Sequence, residues 1–325
     1  MTSRKVVVAT GTFTDVDVER DFLAGKDVEV SLANLRTPEE VAEATEVADA
    51  VIVSTNPLPK EMLKALGQRV KIIGRSGVGL DSIDLIAAAD LGIAVFHCPD
   101  YCTDEVATHA IAMLLSLHRR LLQADQVARR DWRDWRQLTP FTPLHLQVAG
   151  VVGAGRIGAA VVQRLLPLVK SVVVYDPFAE SVPPGALRMH SLEELLKSSD
   201  VVTLHSPLTP DTRHMINEQA LSIMKSGSIL INVSRGPLVD EVALAAALRA
   251  GKLTAGLDVL ESEPPDSRNL LFAAPGLLLS PHFAWYSTES EVRARVITIS
   301  GVIAYLNGET PDAGRMAAVP VNPRP

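Results

Sequence analysis

Three side chains in the last third of the chain can work as one chemical set: Arg235, Glu263 and His282. They stand in Asn232-Val233-Ser234-Arg235-Gly236, Glu261-Ser262-Glu263-Pro264 and Ser280-Pro281-His282-Phe283-Ala284-Trp285. A guanidinium is a planar fork of donors that keeps its charge, so Arg235 suits a substrate carboxylate and can polarise a carbonyl oxygen beside it. An imidazole changes charge near neutral pH, so His282 suits a general acid. A carboxylate beside that imidazole would orient the ring and favour its charged form, and Glu263 suits this part. Glu261 competes for it, because sequence distance does not separate the two. Singly, each residue has a plainer reading: an arginine before glycine as a turn residue, Glu-Pro as a loop, a histidine after proline as a structural group. Their order after a second motif joins them.

That motif is Val151-Val152-Gly153-Ala154-Gly155-Arg156-Ile157-Gly158, a GxGxxG between an apolar run and an amphipathic one, with Asp176 18 residues after Gly158. This is the context of a dinucleotide fingerprint. Gly153 makes the tight turn, Gly155 admits a pyrophosphate to the backbone, and Gly158 allows close helix–strand packing. The helix N-terminus offers free N–H groups to phosphate, with Arg156 beside them. Asp176 suits ribose hydroxyls and would repel a 2′-phosphate, so NAD is expected rather than NADP. With a nicotinamide at this site, Arg235, Glu263 and His282 supply what hydride transfer to a 2-keto acid requires.

Elements that could position these groups alternate along the chain. Val6–Ala9, Val28–Ser31, Ala50–Ser54, Val70–Gly74 and Ile93–Phe96 read as strands, with helical stretches at Pro38–Ala48, Pro59–Leu66 and Ser82–Leu91. A second series reads as strands at Gln147–Val152, Ser171–Tyr175, Val201–His205, Ser228–Val233, Thr254–Val259 and Leu277–Ser280. Its helices are Arg156–Leu166, Leu192–Lys197 and Val239–Ala250. Val- and Ile-rich strands without polar alternation suit parallel sheets covered on both faces, so the chain reads as two α/β units, each doubly wound. Between them one long helix is expected from Thr103, as N-cap, to about Arg130, offering an oligomer surface. Asp131–Leu146, with Trp132 and Trp135, reads as an ordered loop in which the tryptophans pack, and Pro311–Pro325 as an irregular strap or disordered tail.

Composition sets bounds. The 325 residues suffice for two cores, and 47% hydrophobic content suits a packed protein. A net charge of -7 without a basic cluster argues against nucleic acid. No apolar run is long enough to span a membrane. Cys98 and Cys102 are not spaced as a metal pair, so no metal site is expected. They read as reduced thiols, and the compartment as cytoplasmic.

Over nearly its whole length the chain resembles the D-isomer-specific 2-hydroxyacid dehydrogenase family, and within it the C-terminal binding protein branch. The resemblance is carried by Lys71-Ile72-Ile73-Gly74-Arg75-Ser76-Gly77-Val78-Gly79-Leu80-Asp81-Ser82-Ile83-Asp84, by Arg235-Gly236-Pro237-Leu238-Val239-Asp240-Glu241, by Glu261-Ser262-Glu263-Pro264, and by His282-Phe283-Ala284-Trp285-Tyr286-Ser287. It implies a flavodoxin-like substrate-binding domain, residues 1–99 completed by 286–325, with a Rossmann NAD-binding domain, residues 100–285, inserted into it. It implies that the carboxylate of a 2-keto or D-2-hydroxy acid is held by the amides of Ser76, Gly77 and Val78, with Arg75 nearby and with Arg235. It implies that Val106 backs the nicotinamide and that His205, Ser206, Pro207, Val233, Ser234 and His282 line the cofactor. Asp258 would bind the carboxamide, Trp285 would wall the substrate pocket, and the long helix would build a homodimer. For Phe283 and Tyr286 the expectation is packing into the domain hinge. Two other readings stay open: an NAD(H)-sensing binding protein, as in the co-repressor branch, and a phosphoglycerate dehydrogenase. A regulatory domain typical of the latter is not found in the sequence, and Trp285 would crowd a phosphorylated substrate.

Overall fold

The computed structural model describes residues 3–324. The chain divides into two compact units, one made of the residues up to Tyr101 and those from Ser287 onward, the other of Cys102–Tyr286.

The first unit begins with β1 (Arg4–Ala9), α1 (Asp17–Phe22), β2 (Val28–Ala33), α2 (Pro38–Thr45), β3 (Ala50–Val53), α3 (Lys60–Ala65), β4 (Ile72–Arg75), α4 (Leu85–Asp90) and β5 (Ala94–His97). These five strands lie in the order 2-1-3-4-5 and are all parallel, the flavodoxin-like order. Helix starts follow local chemistry: Thr37 Oγ1 accepts from Glu40 N, and Asp84 from Ala87 N. Central strands are buried on both faces, with Val51, Ile73 and Val95 among a core shared with Leu63 and Ile93.

The second unit follows with α5 (Thr103–His118), α6 (Leu121–Arg130), β6 (Val148–Val152), α7 (Arg156–Leu165), β7 (Ser171–Tyr175), β8 (Leu187–Arg188), α8 (Leu192–Ser198), β9 (Val201–Leu204), α9 (Glu218–Ile223), β10 (Ser228–Asn232), α10 (Glu241–Arg249), β11 (Leu253–Leu257) and β12 (Leu277–Leu279). Its seven strands are parallel in the order β8-β7-β6-β9-β10-β11-β12. The order reverses between β6 and β9, which makes their carboxyl ends the switch point where open α/β sheets take ligands. The chain then returns to the first unit through α11 (Thr288–Leu306) and β13 (Met316–Ala318).

Several expectations need correction. The connector is two helices, broken where Arg120 adopts a left-handed φ of 50° and closes α5. Thr103 is the first residue of α5, not its cap; Cys102 stands there without a side-chain cap bond. Trp132 is 80% exposed and Trp135 53%, the latter with the Arg136 guanidinium over its ring, so neither is buried. Phe283 and Tyr286 are likewise about half exposed. The tail, expected as an irregular strap or disordered, is a strap with one regular piece: β13 adds an antiparallel edge to β5, and Arg324 Nη1 donates to Gly67 O at 2.7 Å. Pro325 lies outside the described residues. Helix α11, unread in the sequence, carries Arg295 mid-helix, but that guanidinium is buried on Glu19 at 2.6 Å. Gly301 lets the helix sit on Phe96, whose ring a Cβ there would meet at 2.2 Å.

Candidate active site

Strands β10 and β11 pair Asn232 with Leu257, and β11 pairs Leu257 with Leu279 of β12. The turns after these three strands therefore leave the sheet side by side at its carboxyl edge. They carry Arg235, Glu263 and His282.

The arginine turn is held by Asn232, which is fully buried. Its Nδ2 donates to Arg235 O at 2.8 Å and its Oδ1 accepts from Ser234 N at 3.0 Å. Ser234 Oγ donates to Ser206 O at 2.7 Å, tying this turn to the loop after β9. Gly236 is required: a Cβ would sit 2.0 Å from Leu260 O. Arg235 Nη1 donates to Ser234 O at 2.7 Å.

The acid turn is held by Asp258, which is 2% exposed. Its Oδ1 accepts from Phe283 N at 3.1 Å and its Oδ2 from Ala284 N at 3.0 Å. His282 N donates to Asp258 O at 2.8 Å. His282 has a φ of 51°, a left-handed conformation that a side chain adopts only where its surroundings compel it.

His282 Nδ1 donates to Glu263 Oε2, and Leu260 N donates to Glu263 Oε1 at 2.9 Å. Burial pushes the Glu263 carboxyl up, but the hydrogen bond and charge of His282, the Leu260 amide and the Arg235 charge outweigh it, so its pKa lies below the usual value. Glu261 points elsewhere. It lies 3.1 Å from His214 Nε2 and accepts from Glu241 N. Trp285 Nε1 donates to His282 O at 3.0 Å, and its ring meets Tyr286 edge-on.

The fingerprint fits a dinucleotide. Gly153 has φ 93°, and a Cβ there would lie 2.7 Å from His205 O. At Gly158 a Cβ would lie 2.0 Å from Gly153 O, whereas at Gly155 it would meet nothing within 4 Å. Gly153 and Gly158 close the turn, and Gly155 leaves its outer face open to a ligand. Gly155 caps α7 with no side-chain hydrogen bond, so the first N–H groups of that helix, starting at Arg156 and Ile157, face no competing cap. Asp176 Oδ2 accepts from Ala154 N at 2.8 Å, and Oδ1 from Phe178 N and Ala179 N. Its carboxylate is thus held at the fingerprint turn, with lone pairs left for hydroxyls.

His205 follows β9, its Nε2 2.9 Å from Thr203 Oγ1. Desolvation pushes its pKa down to about 3, so it is neutral at ordinary pH. Ser206 is buried and Pro207 exposed in the same loop, Val233 is buried in the arginine turn, and Val106 is buried on α5.

Ser76, Gly77 and Val78 lie in the first unit, after β4. Two of these three amides are already committed: Ser76 N donates to Val53 O at 2.8 Å, extending the strand ladder, and Gly77 N to Arg75 O at 2.9 Å. Of the three amides expected to hold a carboxylate, the backbone itself thus takes those of Ser76 and Gly77. Arg75 Nη1 donates to Ser76 O at 2.6 Å and covers Gly77, where a Cβ would lie 1.9 Å from that nitrogen. Ser76 Oγ donates to Thr298 Oγ1 at 3.0 Å.

Sequence reasoning gave Asn232 no role and Asp258 only a cofactor role. The available signal was a polar residue ending an otherwise apolar strand, where its side chain must be buried and must find partners.

Residues 111–284 match the NAD-binding domain of the D-isomer specific 2-hydroxyacid dehydrogenases. The chain is 35% identical over 281 residues to glycerate dehydrogenase of Methylorubrum extorquens, covering 84% of this chain and 87% of that one. It is 35% identical over 295 residues to D-3-phosphoglycerate dehydrogenase of Archaeoglobus fulgidus, covering 89% of this chain and 55% of the relative. It thus spans about half the length of that relative. D-lactate dehydrogenase of Aquifex aeolicus, solved with NAD and lactic acid, superposes with a TM-score of 0.88 at 31% identity, covering 97% of this chain and 99% of that one.

Proposed function

We propose that this chain, which belongs to the D-isomer-specific 2-hydroxyacid dehydrogenase family, interconverts a 2-keto acid and its D-2-hydroxy acid with NAD(H). The observation that carries the reading is the His282–Glu263 pair, with the Arg235 charge felt at the same carboxylate. When bound, NADH supplies the hydride that C2 of the keto acid receives. Arg235 binds the substrate carboxylate and draws electron density from the ketone oxygen. His282 gives the proton that this oxygen takes up as the C–O double bond becomes a hydroxyl. Glu263 fixes the Nδ1–H tautomer, which leaves Nε2 as the position where the proton moves. Phosphate binding falls to Gly155 and the α7 amides, the adenosine ribose to Asp176.

Trp285 supports a substrate with an apolar side chain, since a large ring offers apolar contact with few rotatable bonds. The same residue supports the C-terminal binding protein branch. Among the described residues no helix is long and apolar enough to cross a membrane. Exposed Leu121, Leu122, Trp132 and Trp135 in the second unit support a homodimer covering this face, and the buried side chains of Cys98 and Cys102, which are thiols and not a disulfide, support a reducing, cytoplasmic setting.

The test is loss of NADH absorbance with a panel of 2-keto acids: glyoxylate, pyruvate, longer apolar members, hydroxypyruvate and 3-phosphohydroxypyruvate. Turnover of one or more is expected, with Arg235→Ala lowering kcat/KM by several decades, since truncating a charge-assisted pair costs roughly 2–5 kcal/mol. No turnover across the panel sinks the reading, and an Arg235→Ala effect below about tenfold makes the arginine a turn residue.

A further inference from the structure

Behind the acid turn, His109 and Ser280, which the reaction does not use, form a chain with Asp258. His109 Nε2 lies 3.0 Å from Ser280 Oγ, and Ser280 Oγ donates to Asp258 Oδ1 at 2.5 Å. Because the Ser280 hydrogen is given to Asp258, its oxygen can only accept from His109, which fixes His109 as the Nε2–H donor. The His109 ring also meets the Phe283 ring edge-on at 5.2 Å. Asp258 in turn accepts from Phe283 N and Ala284 N, and its carbonyl accepts from His282 N. All of this supports a residue held in the left-handed region. Removing the support at one end frees the turn to relax toward ordinary backbone angles and carries the acid away from its post.

We propose that His109 and Ser280 are positioning residues for proton delivery by His282. Helix α5 carries His109, and with it Val106 three residues earlier, on one face; it therefore sets the acid turn through Asp258 and not by touching the reacting atoms. The inference rests on the keto-acid reduction proposed above for its kinetic arm alone.

The experiment uses the full chain with His109→Leu, His109→Gln, Ser280→Ala and Ser280→Thr. Glutamine presents its amide N–H near the place of His109 Nε2, and threonine keeps the hydroxyl. In the protein without cofactor, amide hydrogen exchange at Phe283 and Ala284 should speed up by about tenfold in His109→Leu and Ser280→Ala, the loss of about one hydrogen bond to a charged group. It should return toward wild type in the Gln and Thr variants. In turnover, His109→Leu should lower kcat by about tenfold with KM little changed, and the isotope effect with 4-deuterated NADH should rise as chemistry becomes slower. His109→Gln should recover kcat. Unchanged exchange at Phe283 and Ala284 overturns the proposal. So does equal damage by Leu and Gln that tracks a fall in Tm, which would mark His109 as mere packing. A wild-type chain that reduces none of the keto acids fails the functional reading, while the exchange arm still decides this one.

Discussion

Glu263→Gln is the sharpest perturbation of the proposed acid, because it keeps the shape and removes one charge. In the structure one carboxylate oxygen accepts from Leu260 N and the other from His282 Nδ1. A glutamine cannot accept at both places. With its oxygen on the Leu260 amide, its NH2 faces Nδ1, which must then be unprotonated; the imidazolium, with hydrogens on both nitrogens, loses its partner. At an effective dielectric of about 20, unit charges about 4 Å apart attract by about 4 kcal/mol. Both side chains are about one-third exposed, 37% and 35%, and solvent screening cuts this to about 1–2 kcal/mol. About 1.4 kcal/mol corresponds to one pH unit. The alkaline limb of the keto-acid reduction profile should therefore move about one unit to lower pH. Activity near pH 8 should fall by about one decade or more while activity near pH 5.5 is largely kept. The assay is kcat/KM for reduction across pH in wild type, Glu263→Gln and Glu261→Gln. Glu261 is occupied by His214 and the Glu241 amide, so its variant should leave the limb in place. If the limb moves in Glu261→Gln and not in Glu263→Gln, the assignment of the carboxylate is wrong.

Three further outcomes are expected. NADH should be used better than NADPH by kcat/KM, and Asp176→Ala should narrow the gap; equal or better use of NADPH by the wild type contradicts the role of Asp176. His205, held at about 3 in the fold against roughly 6.5 when unfolded, lets the unfolded chain bind a proton that the folded one refuses. Stability should thus fall as pH drops below about 6.5 and level off near 3, a loss of about 2 kcal/mol by pH 5. His205→Gln should lack that share of the loss in urea unfolding at pH 7 and pH 5, and equal losses in both proteins would refute it. In a side-chain series from glyoxylate upward, kcat/KM should rise with apolar size, at roughly 1–3 kcal/mol per methylene. Trp285→Ala should flatten the rise, and a wild type that prefers glyoxylate or 3-phosphohydroxypyruvate by about tenfold or more discards the pocket wall.

What the sequence makes legible follows from period and from chemistry that is local. Buried strands such as Ala50–Val53 and Ser228–Asn232 are near-continuous apolar runs, and the fingerprint is a contiguous motif whose glycines have separate steric duties. Helix α11 escapes this reading because it is buried around much of its circumference, with Ala294, Thr298, Ile299 and Val302 inside, so no polar face marks a period. Its arginine looks like a surface residue until Glu19, 276 positions away in the chain, is seen to receive it. The break after α5 turns on one residue, Arg120, in a conformation that its type does not announce. The carboxylate loop misleads for a similar reason: its amides look free in sequence, but the β3–β4 ladder runs one residue further and takes Ser76 N. The choice between Glu261 and Glu263 depends on which partner each meets, and His214 and His282 enter only when the turns are folded.

The positions of the cation and the acid are set by the sheet and not by their loops. His282 N donates to Asp258 O at 2.8 Å, and Asp258 N donates to Asn232 O at 2.9 Å. These two bonds continue the strand ladder past the ends of β12, β11 and β10, so the backbones of the acid turn and the arginine turn are joined across the sheet edge. The side chains of Asn232 and Asp258 then fold back onto the turns that follow β10 and β12. A buried amide and a buried carboxylate are costly unless their hydrogen bonds are made, and here each is satisfied only when its turn is in place. Burial thus penalises every arrangement in which Arg235 or His282 strays. Glu263 has no such anchor at its own backbone; it is placed by the Leu260 amide and by His282 itself. Substitutions at Asn232 or Asp258 should therefore disturb catalysis by misplacing a neighbour, whereas substitutions at Glu263 should act on proton affinity with the backbone of the turns intact.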